Sequence, residues 1–240
     1  MTEPITKTYL DAQGVEITYY IWPVVNPKAI VQIAHGLGDH ARRYDWVANE
    51  FNKAGYSVYA DDHRGHGVTG RKQVDSGQTK ILGNLGPGGI QAAFEQVHQF
   101  TQIIRKENPD KKLILFGHSY GSFISQKLIN RYSNEYDAVV LSGSSLLLPG
   151  YLKAGGFNKK WDKEPGATGY EWLSSDRAVG EKFAKDPLTF LASAAKVLGV
   201  PNGIQLFFTP KKGIRPDLPL LIVAGSDDPI GGTRGNEALA

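Results

Sequence analysis

The 240-residue chain contains no cysteine. That excludes disulfides, thiolate metal ligands and a cysteine nucleophile, without fixing a compartment. Charge is nearly balanced: the formal excess is +3 and the Lys and Arg residues are scattered. A nucleic-acid partner, which calls for a basic face, is not expected. No apolar run approaches the length of a membrane span; Leu220 to Ala224 is among the longest. The amino terminus, Met1-Thr2-Glu3-Pro4, lacks the basic and apolar stretches of a signal peptide. A cytoplasmic protein is the default expectation. Neither internal repeats nor low-complexity segments occur.

What is present is a 41% hydrophobic composition, enough to bury a sizeable core. Thr6 to Leu10 and Val15 to Trp22, around the turn Ala12-Gln13-Gly14, read as an antiparallel hairpin at a sheet edge. Short continuous apolar runs follow at Ile30 to Ala34, Ser57 to Ala60, Leu113 to Phe116, Ala138 to Leu141 and Leu220 to Ala224. Continuous runs suit strands buried on both faces. Helical periods lie between them. Tyr44, Val47, Ala48 and Phe51 form one, with Gly55 as its stop. Ile90, Ala93, Phe94, Val97, Thr101 and Ile104 form a second, between Pro87 and Pro109, and Ile124, Leu128 and Tyr132 a third. The alternation predicts an α/β fold, a mostly parallel sheet with helices on both faces. It breaks at residues 146–216, too long an interruption for an ordinary loop. This stretch reads as a helical insertion over the strand ends. The core is then 1–145 and 217–240. The insertion's aromatics, Trp161, Trp172, Phe183, Phe190, Phe207 and Phe208, line an acyl pocket or form the insertion's own core.

Four motifs carry chemistry. Gly117-His118-Ser119-Tyr120-Gly121 fits G-x-S-x-G, with an apolar run before it and an amphipathic helix after. A nucleophilic hydroxyl must stand clear of the backbone at a sharp strand-to-helix turn, and that turn leaves no room for flanking side chains. The competing reading makes Ser119 a helix N-cap. His35-Gly36-Leu37-Gly38-Asp39-His40 follows the Ile30 run. Its glycines admit close substrate approach, so His35 and Gly36 are candidate substrate-binding positions. The Leu37 N–H, together with the Tyr120 N–H, is a candidate oxyanion hole. A plain tight turn is the alternative, and His35 suits a loop-stabilising hydrogen bond better than a base. Asp62-His63-Arg64-Gly65-His66-Gly67 offers two histidines but no third ligand, so it reads as a bracing loop, with no metal expected. Gly225-Ser226-Asp227-Asp228-Pro229 follows the last apolar run, where Ser…Asp…His order puts the triad acid. Asp228 is favoured as that acid over Asp227, which suits a turn cap.

Together with Arg43-Tyr44, these motifs resemble the monoacylglycerol lipase and bacterial lysophospholipase branch of the α/β-hydrolases. The resemblance spans nearly the whole chain outside the insertion. It implies Ser119 as nucleophile, Asp228 as triad acid, Leu37 and Tyr120 as oxyanion amides, and residues 146–216 as a lid. It implies no cofactor. The implied reaction is hydrolysis of a small-molecule ester or lipid, such as a monoacylglycerol or lysophospholipid, with a possible transient membrane-surface contact. Peptidases and thioesterases share the fold. Two departures stand out. Val68-Thr69 replace a serine common after the Asp-x-Arg-Gly-x-Gly loop, and none of the six histidines (35, 40, 63, 66, 98 and 118) follows Asp228. The triad histidine normally lies one helix and one strand further on, about 11 and 5 residues before any loop. Only twelve residues follow Asp228. The reading is therefore a truncated enzyme or, alternatively, an inactive acyl-binding homologue.

Overall fold

A computed structural model describes residues 3–153, 155–191, 198–208, 210 and 214–240. Seven strands form one sheet in the order β1-β2-β4-β3-β5-β6-β7. β1 (Ile5–Leu10) and β2 (Glu16–Trp22) make the antiparallel hairpin, and β2 also pairs antiparallel with β4 (Ser57–Asp61). β3 (Ile30–Ala34), β4, β5 (Leu113–His118), β6 (Ala138–Ser142) and β7 (Leu220–Val223) run parallel. Every apolar run read from the sequence is a strand.

Helices cover both faces. On one face α1 (Asp45–Lys53) packs with Val31, Ile33, Val58 and Ala60. Gly55, at φ 91°, stops it: the Gly55 and Tyr56 amides bond back to Asn52 and Phe51, the left-handed cap that glycine adopts without strain. On the other face α3 (Gly89–Glu107) and α4 (Tyr120–Tyr132) bury Ile90, Val97, Phe100, Ile104, Ile124 and Leu128 against Ile30 and Leu115. Each such side chain contributes about 1.5–3 kcal/mol when fully buried.

Three features depart from the expectations. α2 (Gly67–Asp75) is a helix that no apolar period announced. β7 is not buried on both faces: Leu220, Leu221 and Val223 are about half exposed. It is the outermost strand, so its continuous apolar run meets no neighbour on that side among the described residues. The described residues of the insertion are only partly helical. They hold a 3₁₀ turn (Glu171–Leu173), α5 (Arg177–Lys185) and α6 (Gly199–Ile204), joined by turns. A short α7 (Gly232–Glu237) follows β7. Among the described residues no helix is long and apolar enough to cross a membrane.

The strand order reverses between β3 and β5, because the chain runs from β3 outward to β4 and then returns to β5 on the other side. Ligands in open α/β sheets bind at such a switch point, outside the carboxyl ends of the strands. Ala34 and Gly117 are register partners there, so the loop after β3 and the turn after β5 face each other.

Candidate active site

Ser119 occupies the turn from β5 into α4 with φ 51° and ψ −119°. Asn26 is the only other non-glycine among the described residues at positive φ. Such backbone costs about 1–3 kcal/mol and persists where the surroundings over-determine it. The Ser119 N–H donates to the Ser142 carbonyl at 2.8 Å, and the Ser119 carbonyl accepts from the Ser122 and Phe123 amides and the Ser122 hydroxyl. The bend therefore serves something other than the helix: Ser119 makes no side-chain cap bond.

The flanking glycines are there for room. A Cβ at Gly121 would lie 2.0 Å from the Ala34 carbonyl oxygen, and one at Gly117 would lie 2.3 Å from Ser125 Oγ. The helix start thus presses directly on the end of β3, carrying Ser119 against the next loop. A Cβ built on Gly36 would sit 3.4 Å from Ser119 Cβ. Neither the Leu37 amide nor the Tyr120 amide bonds to another group among the described residues. Two main-chain donors therefore remain free beside the serine.

The loop that carries Leu37 is braced from below. The His63 N–H donates to His35 Nε2 at 3.0 Å, so His35 holds its proton on Nδ1, which donates to the Gly36 carbonyl at 2.8 Å. Buried Asp62 accepts from the Ala41 amide at 2.9 Å and the Val68 amide at 2.7 Å. The second of these bonds seats the start of α2. His63 Nδ1 pairs with Asp61 Oδ2 at 2.8 Å. Burial drives the His35 pKa well down and takes that of His66 to about 3, so both rings are neutral spacers. The insertion braces the same loop from above. His40 Nε2 meets Asp186 Oδ2 at 2.8 Å, the Phe190 N–H donates to the Gly38 carbonyl at 3.1 Å, and Arg43 lies over the Phe183 ring at 4.6 Å.

A cavity of about 690 Å³ opens between these elements, within the usual size of a small-molecule site. Gly36, Leu37, His118 and Ser119 line it, as do Asp227 and Asp228 after β7 and Trp161, Glu171, Trp172 and Phe183 of the insertion. Of the six insertion aromatics named from the sequence, Trp161, Trp172 and Phe183 face the cavity; Phe190, Phe207 and Phe208 do not. The His35 side chain, fully buried beneath the loop, is not part of the lining either. What His35 contributes is support for Gly36 and Leu37. Of the two aspartates, Asp228 makes the turn-capping bond expected of Asp227, its Oδ1 accepting the Ile230 N–H at 2.8 Å. The Asp228 backbone fits that bond because its own N–H closes the turn onto Gly225. Its Oδ2 stands beside Gly143, next to the His118 ring. Asp227 is exposed.

His118 shares the cavity but does not bond to Ser119 or Asp228. Its Nδ1 meets the Tyr44 hydroxyl at 2.7 Å. Burial holds the Tyr44 phenol well above its usual pKa and lowers that of His118, although Asp39 and Asp228 pull the latter upward. The phenol keeps its proton and the imidazole is neutral. Sequence reasoning placed Tyr44 in a helical stripe and, with Arg43, in the family resemblance, and gave no role to Ser142 or Asp186. No local pattern marks the last two, whose contacts lie 23 and 146 residues away.

Comparison with known proteins fits this geometry. Residues 25–240 match the family described as serine aminopeptidase, S33. The chain belongs to that family. Its fold is the α/β-hydrolase fold, as in a soluble variant of monoglyceride lipase from Saccharomyces cerevisiae in complex with a substrate analog. That structure aligns with a TM-score of 0.72 over 99% of this chain and 81% of the other, at 20% identity, a likeness of fold alone. Among curated relatives, a monoacylglycerol lipase of Mycolicibacterium smegmatis is 38% identical over 134 residues, 55% of this chain and 44% of that protein. The monoglyceride lipase of Mus musculus is 25% identical over 236 residues, 94% of this chain and 74% of that protein. The match thus spans under half of the mycobacterial relative and about three quarters of the mouse one.

Proposed function

We propose that this family member is a serine ester hydrolase acting on monoacylglycerol-like esters through an acyl-enzyme. The observation that carries the reading is the Ser119 turn, whose hydroxyl lines a cavity beside two unengaged amides. Ser119 Oγ attacks the ester carbonyl, and the Leu37 and Tyr120 N–H groups receive the developing oxyanion. A single such donor is typically worth about 2.7–4 kcal/mol in the transition state. The alcohol leaves, and water resolves the acyl-enzyme. Asp228, with Oδ2 free beside the cavity, is the acid that orients the base. None of the six histidines bonds to the Ser119 hydroxyl among the described residues, and the reaction requires a base that takes its proton. Without it, residual catalysis from the oxyanion hole falls to about 10³–10⁴ over water.

The apolar lining by Trp161, Trp172, Leu173 and Phe183, with Glu171 among them, suits an acyl chain carrying a small hydroxylated head. The lipase names of the two curated relatives support the same substrate class. A fluorophosphonate probe on the intact protein should label Ser119, and Ser119→Ala should abolish the labelling. A panel of monoacylglycerol, lysophosphatidylcholine, nitrophenyl esters and amino-acid amides then sorts the bond cleaved. Turnover of amides in preference to esters would replace this reading with a peptidase. Acyl-lipid binding without labelling would replace it with a non-catalytic binder.

A further inference from the structure

A second concavity, of about 510 Å³, lies away from the Ser119 cavity. Val74 of α2, Ile81 and Leu82 of the loop before α3, and Phe190 and Leu191 of the insertion form its walls. These walls are strongly apolar, and Ile81 and Leu191 are 64% and 59% exposed. Isolated exposed apolar residues need no explanation, but a contiguous group around a groove does. Arg71 and Lys80 complete the lining, and no carboxylate joins them among the described residues. Both cations are exposed, and neither has an ion-pair or hydrogen-bond partner among the described residues.

An apolar trough with two uncompensated positive charges at its rim matches one ligand chemistry, a single hydrocarbon chain ending in an anion. We infer that this groove binds a fatty carboxylate, its chain against Val74, Ile81, Leu82 and Leu191 and its head between Arg71 and Lys80. A neutral ester or alcohol of the same chain length satisfies only the trough, so the site selects the acid over its ester. The site is independent of the Ser119 chemistry, although it takes the acid that ester hydrolysis releases. It also touches the oxyanion loop through one residue: the Phe190 ring packs on His66 at 5.1 Å, and the Phe190 N–H holds the Gly38 carbonyl.

The test is direct binding, with no turnover involved. 11-(Dansylamino)undecanoic acid is titrated into the protein by fluorescence, then displaced with dodecanoate or dodecanol. Saturable binding below the micelle concentration is expected, with dodecanoate displacing the probe at least tenfold better than dodecanol. The variant Arg71→Gln/Lys80→Gln should bind about tenfold more weakly, as two exposed charge pairs allow, and the difference should shrink in high salt. Leu191→Glu, which puts an anion in the trough, should lose the probe. Circular dichroism checks that these surface variants fold. Equal binding by parent and variants would overturn the inference, because the probe would then be lodged in the Ser119 cavity. Absence of saturable binding would also overturn it. So would binding only to phosphatidylglycerol vesicles, which would make the patch a membrane contact. Loss of esterase activity leaves all of these readings unchanged, so this site and the proposed reaction fail separately.

Discussion

Strands β5 and β7 both end at the cavity, one in Ser119 and the other in the turn that carries Asp228, yet they are held in different ways. β5 lies between β3 and β6, with Leu113 and Leu115 buried. Its last residues are fixed by close backbone approach at Gly117 and Gly121 and by the Ser142 carbonyl. β7 is the outermost strand, and most of its side chains are half exposed. Two bonds within the Gly225–Ile230 turn fix the Asp228 carboxylate. Ser119, the proposed nucleophile, is thus preorganised by the whole core, whereas Asp228, the proposed acid, is placed by local turn geometry at an open sheet edge. Catalytic geometry held to tenths of an ångström needs the first arrangement.

The comparison can be broken by substitution. The largest effect is expected from Gly121→Ala, whose new methyl meets the Ala34 carbonyl rather than a side chain that can move. We expect a loss of about 3 kcal/mol or more in urea unfolding, with Ser119 labelling lost in the protein that still folds. Next comes a matched pair. Leu115→Ala on β5 should cost about 2–5 kcal/mol, and Leu221→Ala on β7 less than about 1 kcal/mol. Equal costs would mean that β7 is as well packed as β5 and would remove the contrast.

The smallest effect is in pH dependence, and it also falls on the Ser119 side. The histidines with depressed pKa, His35, His66 and His118, all lie around the β3 and β5 loops. The unfolded chain binds their protons near pH 6.5, while folded His66 resists until about pH 3. The stability they provide is complete above pH 6.5 and is lost as pH falls through that window. His66 alone contributes a slope of about 1.4 kcal/mol per pH unit between about pH 6.5 and pH 3. Urea unfolding at pH 6.5, 5.5 and 4.5 should show this decline, and His66→Asn should make it shallower. A profile unchanged by His66→Asn would show that the ring already takes up its proton in the folded state.

How much of this was legible in the sequence follows the same divide. Ile30 to Ala34 and Leu113 to Phe116 could be read to within two residues of their ends, because two-faced burial leaves a nearly continuous apolar run, broken only by Gln32. The motif around Ser119 could be read as a turn because only glycine satisfies both contacts at 117 and 121. α2 was hidden. Gly67 and Gly70 argue against a helix, and the segment folds as one because Asp62 takes the Val68 amide and because the Gly70 side of the helix presses on Gly65. The apolar run at Leu220 reads like the other strands, since a sequence does not say which strand lies outermost. Asp227 and Asp228 both line the cavity, and the capping bond expected of Asp227 fell to Asp228, a matter of turn geometry that composition does not carry. His35 looked like a substrate contact through its place in the loop; its ring points down because His63 offers it an N–H.

The central claim is that the Leu37 and Tyr120 amides wait for a negative charge beside Ser119. The most direct measurement is a crystal structure of the protein after reaction with a phosphonate that mimics the tetrahedral intermediate. The account predicts a bond from phosphorus to Ser119 Oγ and a phosphoryl oxygen about 2.7–3.1 Å from both amide nitrogens. A phosphoryl oxygen turned into solvent or held by other groups, with those two amides left unengaged, would contradict it.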